Sequence, residues 1–314
     1  MKKQKMSRDR RKRNNQIALF TIPGFIWMMV FSYLPMFGLL IAFKDFKNTT
    51  GDFISSLFAS EWTLKNFRIF FTSKDAGLIL RNTIFYNLVF MILNIVVPLL
   101  IAIMLHELLQ KRMAKVYQTA SFLPYFLSWI VISYSIYALL SPQTGLVNKI
   151  IAFFGGEGVD WYRTPKYWPF IFTFLSVWKN LGYNTIIYLA ALTGIDKSLY
   201  EAASIDGASK MQQAKYITVP LLTPVIIIIF ILGLGSIFRS DFGLFYHIPI
   251  TGGGTAALRN VSEVIDTYIY KLLIQSQNIS QSAAISFVQS VIGFTLIFFA
   301  NKIVKRYDPD RAIY

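Results

Sequence analysis

The chain has 314 residues, 54% of them hydrophobic, a formal charge of +15 and no cysteine. Long apolar runs separated by short polar segments exclude a soluble globular domain and point to an integral membrane protein. The missing thiols exclude disulfides and thiolate metal sites.

The N-terminal segment 1–16 is strongly basic. On a soluble protein it would suggest a nucleic-acid arm; ahead of a long apolar run it reads as an orientation signal resting on anionic lipid headgroups, with no nucleic-acid partner. That run is too long for a signal-peptide core and lacks a small-x-small cleavage site, so the first helix is expected to be retained. A bilayer core of roughly 30 Å needs about 20 apolar residues per helix. Six stretches qualify: 17–42, 83–105, 116–140, 168–192, 217–238 and 283–304. With the N-terminus inside, the predicted cytoplasmic segments hold 18 Lys plus Arg for a net charge of +11, against 12 and +3 outside. Lys and Arg are retained on the cytoplasmic side, so both termini are predicted there. The expected organisation is a basic tail (1–16), a first span with an extracytoplasmic segment (17–82), a five-span domain (83–304) with a cytoplasmic loop at 193–216, and a short tail (305–314).

Two external segments stand out. The stretch 44–81 mixes Trp62, Phe67, Phe70 and Phe71 with charges and predicts short interfacial helices; 239–282 carries the run TGGGT (251–255), expected as a flexible loop, and then an amphipathic helix over 264–273. Enzymatic chemistry is not visible. The two histidines, His106 and His247, fall on opposite sides of the membrane, no pair of carboxylates shares a span, and the glycine run lacks the Lys-Ser/Thr of a phosphate loop.

Within the fourth predicted span, Asn180, Asn184 and Tyr188 recur every fourth residue, flanked by Trp178, Lys179 and Tyr183, which predicts one polar and aromatic face. A charge near the bilayer midplane points to a transport path, with an interhelical hydrogen-bond clamp as the competing reading. Amides beside aromatic rings suit a sugar, which offers hydroxyls and apolar C–H faces. Ser282, Ser286 and Ser290, every fourth residue on the sixth predicted helix, read as close helix packing before pore lining.

The loop 193–216 is alanine-rich. Ser198 and Glu201 have capping-box spacing, Gly207 is a natural helix end, and Asp206 is placed to cap a second helix over 208–216 that runs into the fifth span, where Pro220 and Pro224 would loosen it. Such a small, flat helix face fits a groove in another protein.

At these residues the sequence resembles the permease subunits of type I ABC importers, whose cytoplasmic signature is EAA, three residues, glycine, then I-x-L-P. Here Glu201, Ala202, Ala203, Gly207, Ile217, Val219 and Pro220 supply it, and Asp206, Gly207 and Ala208 give the DGA of the sugar-import branch. Val219 stands where leucine is usual, and Ala214 where a bulky residue is common. FKDF (43–46), the segment 178–195, DFGLFY (241–246) and VIDTYIY (264–270) are similar to LplB-like oligosaccharide and polysaccharide permeases. The resemblance implies an all-α, six-helix membrane protein of the bacterial plasma membrane, with a MetI-like five-helix core and an N-terminal wrapping helix. It further implies a heterodimer with a second permease, two ATPase subunits that bind ATP and Mg, an external sugar-binding lipoprotein, and an oligosaccharide substrate such as a fructo-oligosaccharide or uronic-acid oligomer. The chain itself would need no cofactor and would not be an enzyme. Closure of the ATPases would pull the helix 201–208 as a lever for alternating access. A secondary carrier, expected to carry buried acids, and a scaffold or sensor that moves no solute are the alternatives from other classes.

Overall fold

The structure, a computed structural model, describes residues 8–47, 52–107 and 111–308. Residues 1–7 and 309–314 of the two predicted cytoplasmic tails lie outside the described residues. Every regular element among the described residues is helical. In chain order these are α1 (Arg8–Met28), α2 (Phe53–Ala59), α3 (Lys65–Thr72), α4 (Ala76–Glu107), α5 (Lys111–Phe122), α6 (Trp129–Leu140), α7 (Leu146–Phe153) and α8 (Trp168–Thr193). There follow α9 (Lys197–Ile205), α10 (Lys210–Gln213), α11 (Val219–Gly235), α12 (Phe242–Thr251), α13 (Arg259–Ser262), α14 (Ile265–Ile274) and α15 (Ile279–Tyr307).

Among the described residues, four helical rods are long and apolar enough to cross a membrane: Ala18–Phe43, Ala76–Glu107, Lys210–Gly235 and Ile279–Arg306. They take up the first, second, fifth and sixth predicted spans. The first and third of these rods share a local device. α1 continues through a π turn (Met29–Tyr33) into a 3-10 segment (Leu34–Phe43) containing Pro35, and α10 continues through a π turn (Ala214–Thr218) into α11, where Pro220 is the second residue. A proline inside a helix lacks a donor and crowds the carbonyl four residues back. The wider turn just ahead of each proline gives that carbonyl room without ending the rod.

The third predicted span, 116–140, is not continuous. Its halves, Arg112–Phe126 and Trp129–Leu140, meet at 101°. Pro124 sits in a 3-10 turn (Leu123–Phe126), and the chain is extended at Leu127 and at Ser128, whose hydroxyl accepts the Val131 N–H at 3.3 Å and starts α6 afresh. The fourth predicted span is α8, long enough at 26 residues to cross the bilayer, although Lys179, Asn180 and Asn184 dilute its apolar character.

The chain divides into two compact units. One comprises Met1–Ser73 and Leu272–Phe287. In it the expected interfacial helices appear as α2 and α3. Lys44 is almost fully buried; its ammonium donates to the carbonyls of Phe58 (3.3 Å) and Ser60 (3.0 Å) and lies 4.8 Å from the Trp62 ring. Asn66 donates to the carbonyls of Ala42 and Lys44, and the rings of Phe43, Phe67 and Phe287 cluster within 5.1–6.1 Å.

The other unit comprises Lys74–Lys271 and Val288–Tyr314. Its axis is the long pairing of α4 with α8, against which α5, α11 and α12 pack. One buried cluster centres on Tyr86, Phe90, Trp168, Phe172 and Phe245; another, towards the segment 193–216, on Ala102, Tyr188, Leu192 and Leu222. Glycines allow two close helix approaches: a Cβ on Gly182 would fall 2.4 Å from the Ser121 carbonyl oxygen on α5, and one on Gly293 2.4 Å from that of Gly235. Polar side chains of α4 hold the segment around α13: Asn82 donates to the carbonyls of Asn260 and Glu263, and Tyr86 to that of Val261.

Candidate functional site

The segment predicted to form the cytoplasmic loop, 193–216, folds as a capped helix pair, but its caps differ from those expected. α9 is capped by Asp196, whose carboxylate accepts the Ser198 N–H at 3.0 Å, so Ser198 and Glu201 both lie inside the helix. That bond holds the exposed Asp196 carboxyl below its usual range. At the other end Gly207 takes φ +79°, the Ala208 N–H reaches the Ala203 carbonyl (2.9 Å), and the Gly207 N–H reaches that of Ser204 (3.2 Å). This is a Schellman closure, which needs a left-handed residue where glycine stands. Asp206 is the C-cap residue of α9 within that closure and does not cap α10. Ser209 does so, in a reciprocal capping box with Gln212.

Side chains then tie α9 to the next rod. Gln213 is buried and donates to Ser204 Oγ (2.8 Å) and the Ala208 carbonyl (3.3 Å); the hydroxyls of Tyr200 and Thr218 pair at 3.0 Å; Lys210 pairs with Glu107 at 2.8 Å. Ala203 and Ala208 are half-buried, whereas Glu201, Ala202, Asp206 and Gly207 are exposed. Leu199 and Ile205 are 44% and 87% exposed, a large apolar presentation for so short a helix. Ile217 and Pro220 lie on the adjoining rod, Ile217 within its π turn.

The polar stripe of α8 divides between two neighbours rather than forming one face. Towards α4, Asn184 donates to the Asn94 carbonyl (3.3 Å), Asn94 to Ser176 Oγ (3.4 Å), and Tyr188 is fully buried beside Ala102 and Leu222. Asn180 donates to the Ser176 carbonyl of its own helix at 2.9 Å, and Trp178 packs on the aromatic core.

Towards the break between α5 and α6, Lys179 donates to the carbonyls of Pro124 (3.4 Å), Tyr125 (3.1 Å) and Leu127. Where the chain turns, the Pro124 carbonyl still accepts the Leu127 N–H at 3.2 Å, and the ammonium adds a donor to it and to the carbonyls of Tyr125 and Leu127. One turn on, Tyr183 stacks on Tyr125 with centroids 4.8 Å apart and planes 9° apart. The Lys179 ammonium also lies 5.3 Å from the Trp129 ring, whose Nε1 donates to Asp241 at 2.7 Å; Asp241 in turn caps α12 through the Leu244 N–H. Nothing in the sequence around Tyr125, Trp129 or Asp241 signals this cluster; DFGLFY contains Asp241 but does not announce a partner 112 residues away. On α15, the hydroxyls of Ser282 and Ser286 donate to backbone carbonyls four residues back, and Ser290 accepts from Arg239.

Residues 94–312 match the family described as the binding-protein-dependent transport system inner membrane component. The chain belongs to this family. The permease is 33% identical over 295 residues to the polygalacturonan/rhamnogalacturonan transport system permease protein YteP of Bacillus subtilis (94% of this chain, 89% of that one). It is likewise 33% identical over 300 residues to the protein LplB of the same organism (95% and 91%). Among solved structures, it superposes with a TM-score of 0.83 and 28% identity on a chain from the bacterial alginate ABC transporter in complex with alginate pentasaccharide-bound periplasmic protein, covering 94% of this chain and 96% of that one. The permease is therefore a multi-pass bacterial plasma-membrane protein with the MetI-like helical fold, a transport subunit rather than an enzyme, and one that works with a binding protein.

Proposed function

We propose that this permease forms half of the membrane pathway of an ATP-driven oligosaccharide importer. It pairs with a second, similar permease, takes its load from an extracytoplasmic sugar-binding lipoprotein, and is driven by two ATPase subunits that bind ATP and Mg. Both termini lie in the cytoplasm in a six-span arrangement, the broken α5–α6 pair and α8 counting as spans. The relatives named for polygalacturonan, rhamnogalacturonan and alginate transport support a polymeric sugar, such as a uronic-acid oligomer, as the load.

The observation that carries the reading is α9: capped at both ends, cross-tied to the next rod by Gln213 and Tyr200, yet exposing Leu199 and Ile205. A helix so anchored moves with the span it precedes, and its exposed face suits a groove on the ATPase. In this arrangement Glu201 is the polar anchor, Ala202 and Ala203 form the close-packing face, Asp206, Gly207 and Ala208 make the rigid turn, and Ile217 and Pro220 join the lever to the membrane. Closure of the ATPase pair on ATP drags this lever and opens the cavity outward; hydrolysis resets it. For the sugar path, the Trp178, Lys179, Asn180, Tyr183, Asn184 and Tyr188 segment provides the wall, with Lys179 holding the break and the half-exposed Tyr183–Tyr125 pair offering an aromatic face.

Because the chain has no cysteine, Ala202→Cys provides a unique thiol for testing this. Cross-linking of that thiol to a single cysteine scanned along the ATPase cleft should be efficient and should change in yield with ATP. Cross-linking no stronger than from an exposed external residue would defeat the proposal.

A further inference from the structure

Three chain segments of the larger unit, all on the predicted extracytoplasmic side, converge on a cavity of about 320 Å³ lined by Tyr137, Gln143, Asp160, Tyr162, Arg163 and the backbone of Gly252 and Gly253. That volume lies at the lower end of small-molecule pockets, which run from about 300 to 1,000 Å³.

The cavity walls are held by buried contacts. Asn148 donates to the carbonyls of Pro142 (3.1 Å) and Val159 (2.9 Å), and its oxygen accepts from the Val159 N–H (3.1 Å) and Trp161 Nε1 (2.9 Å). One buried amide, using all its capacity, thus fixes the residues just before Gln143 and Asp160. The third wall explains the TGGGT run. A Cβ on Gly252 would fall 2.0 Å from the Tyr162 ring, one on Gly254 would fall 2.7 Å from the Tyr162 carbonyl oxygen, and Gly253 has φ +68°. The expected flexible loop is instead laid tightly on a buried tyrosine, and Thr251 secures it by donating to Ser133 Oγ at 2.9 Å.

On this frame stand a carboxylate, a guanidinium, a carboxamide and a phenol ring. Asp160 and Arg163 approach only to 3.7 Å, with side chains 42% and 83% exposed, so both keep capacity for an outside partner. Their charges cancel, which favours neither an anion nor a cation. Hydroxyls that donate to a carboxylate and accept from a guanidinium and an amide, beside a ring that takes a C–H face, are the chemistry of a neutral sugar.

We infer that this cavity is an extracytoplasmic saccharide site that holds a neutral sugar unit outside the membrane path. The inference rests on the oligosaccharide-import reading above. The test uses the full transporter in lipid nanodiscs, without binding protein, and saturation-transfer NMR with maltotriose, 1-kestose and the anionic trigalacturonate as probes. At least one neutral probe should register, more strongly than trigalacturonate. Asp160→Ala and Gln143→Ala should each weaken it about fivefold or more, with melting temperatures confirming that these surface changes leave the fold intact. The inference is overturned if no probe registers, if trigalacturonate is preferred, or if Tyr183→Ala abolishes a signal that Asp160→Ala leaves unchanged. It is overturned too if Asp160→Ala spares the saccharide signal but weakens stimulation by the binding protein, which would make the cavity a protein contact. ATP hydrolysis stimulated by sugar-loaded binding protein separates the two levels: stimulation without any saccharide signal sinks this site alone, whereas loss of stimulation in the unmodified transporter sinks the importer reading.

Discussion

Replacing Lys179 by methionine keeps most of the side-chain volume and removes the ammonium that serves the break between α5 and α6. The carbonyls of Tyr125 and Leu127 would lose their ammonium donor at once, and that of Pro124 would keep only the Leu127 N–H. A hydrogen bond from a charged donor contributes about 1.5–3 kcal/mol, and a buried carbonyl left unpaired costs about 1–3 kcal/mol. The three contacts share one ammonium, so they do not add, and relief from holding a half-buried charge offsets part of the loss. The net expectation is a destabilisation of about 2–4 kcal/mol, seen as several degrees in thermal unfolding of the purified permease complex in detergent and as new protease cleavage near residues 123–128. Lys179→Arg, with a donor of different shape, should fall between the two. If Lys179→Met melts with the parent while sugar uptake disappears, the ammonium serves the substrate and not the backbone, and the structural role argued here is wrong.

Other perturbations follow from single contacts. Gly182→Ala would press a methyl against backbone atoms of Ser121 and Phe122 only 2.4 Å away; backbone cannot rotate aside, so a loss of about 1–3 kcal/mol is expected in the same unfolding assay. Gly207→Ala meets no neighbour within 4 Å, leaving only the strain of φ +79°, about 1 kcal/mol. Faster hydrogen exchange at the Ala208 amide, with membrane insertion unchanged, is the expected readout. Burial raises the Asp266 carboxyl above the usual carboxylate range, against the opposing pull of the Ser240 N–H, Gln289 and Arg239. The folded chain therefore binds this proton more readily than the unfolded one, so the site's contribution to stability is full below the ordinary Asp value and declines as pH rises through the raised one. Asp266→Asn should flatten that decline in melting temperature measured across the acid range; an unchanged slope would remove Asp266 as its source.

The rods were legible in the sequence because the bilayer demands some 20 apolar residues in a row, and 17–42, 83–105, 217–238 and 283–304 supply them. The break at 123–128 was not, since both halves are apolar and hydropathy averages over a six-residue interruption; Pro124 and Ser128, a helix stop followed by a cap, were the local signal. Lys179 looked like a lone charge on a transport face because its partners lie 52 to 55 residues earlier, beyond the reach of periodicity. In the segment 193–216 the helix end at Gly207 was readable, as only glycine closes such a turn cheaply. The start was misassigned because Ser198 and Glu201 match the capping-box spacing, while Asp196, a strong cap in its own right, comes two residues sooner. The reciprocal box at Ser209 and Gln212 was present in the sequence and was masked by assigning the cap to Asp206.

The central claim, that α9 transmits the work of ATP hydrolysis to sugar movement, is tested most directly by uptake into proteoliposomes carrying the whole transporter, with Glu201→Lys and Gly207→Pro compared against the parent at equal membrane insertion. The account predicts that oligosaccharide uptake by the parent requires ATP and the binding protein and that both variants lose it. Uptake that survives both substitutions, or that persists without the ATPase subunits, would contradict it.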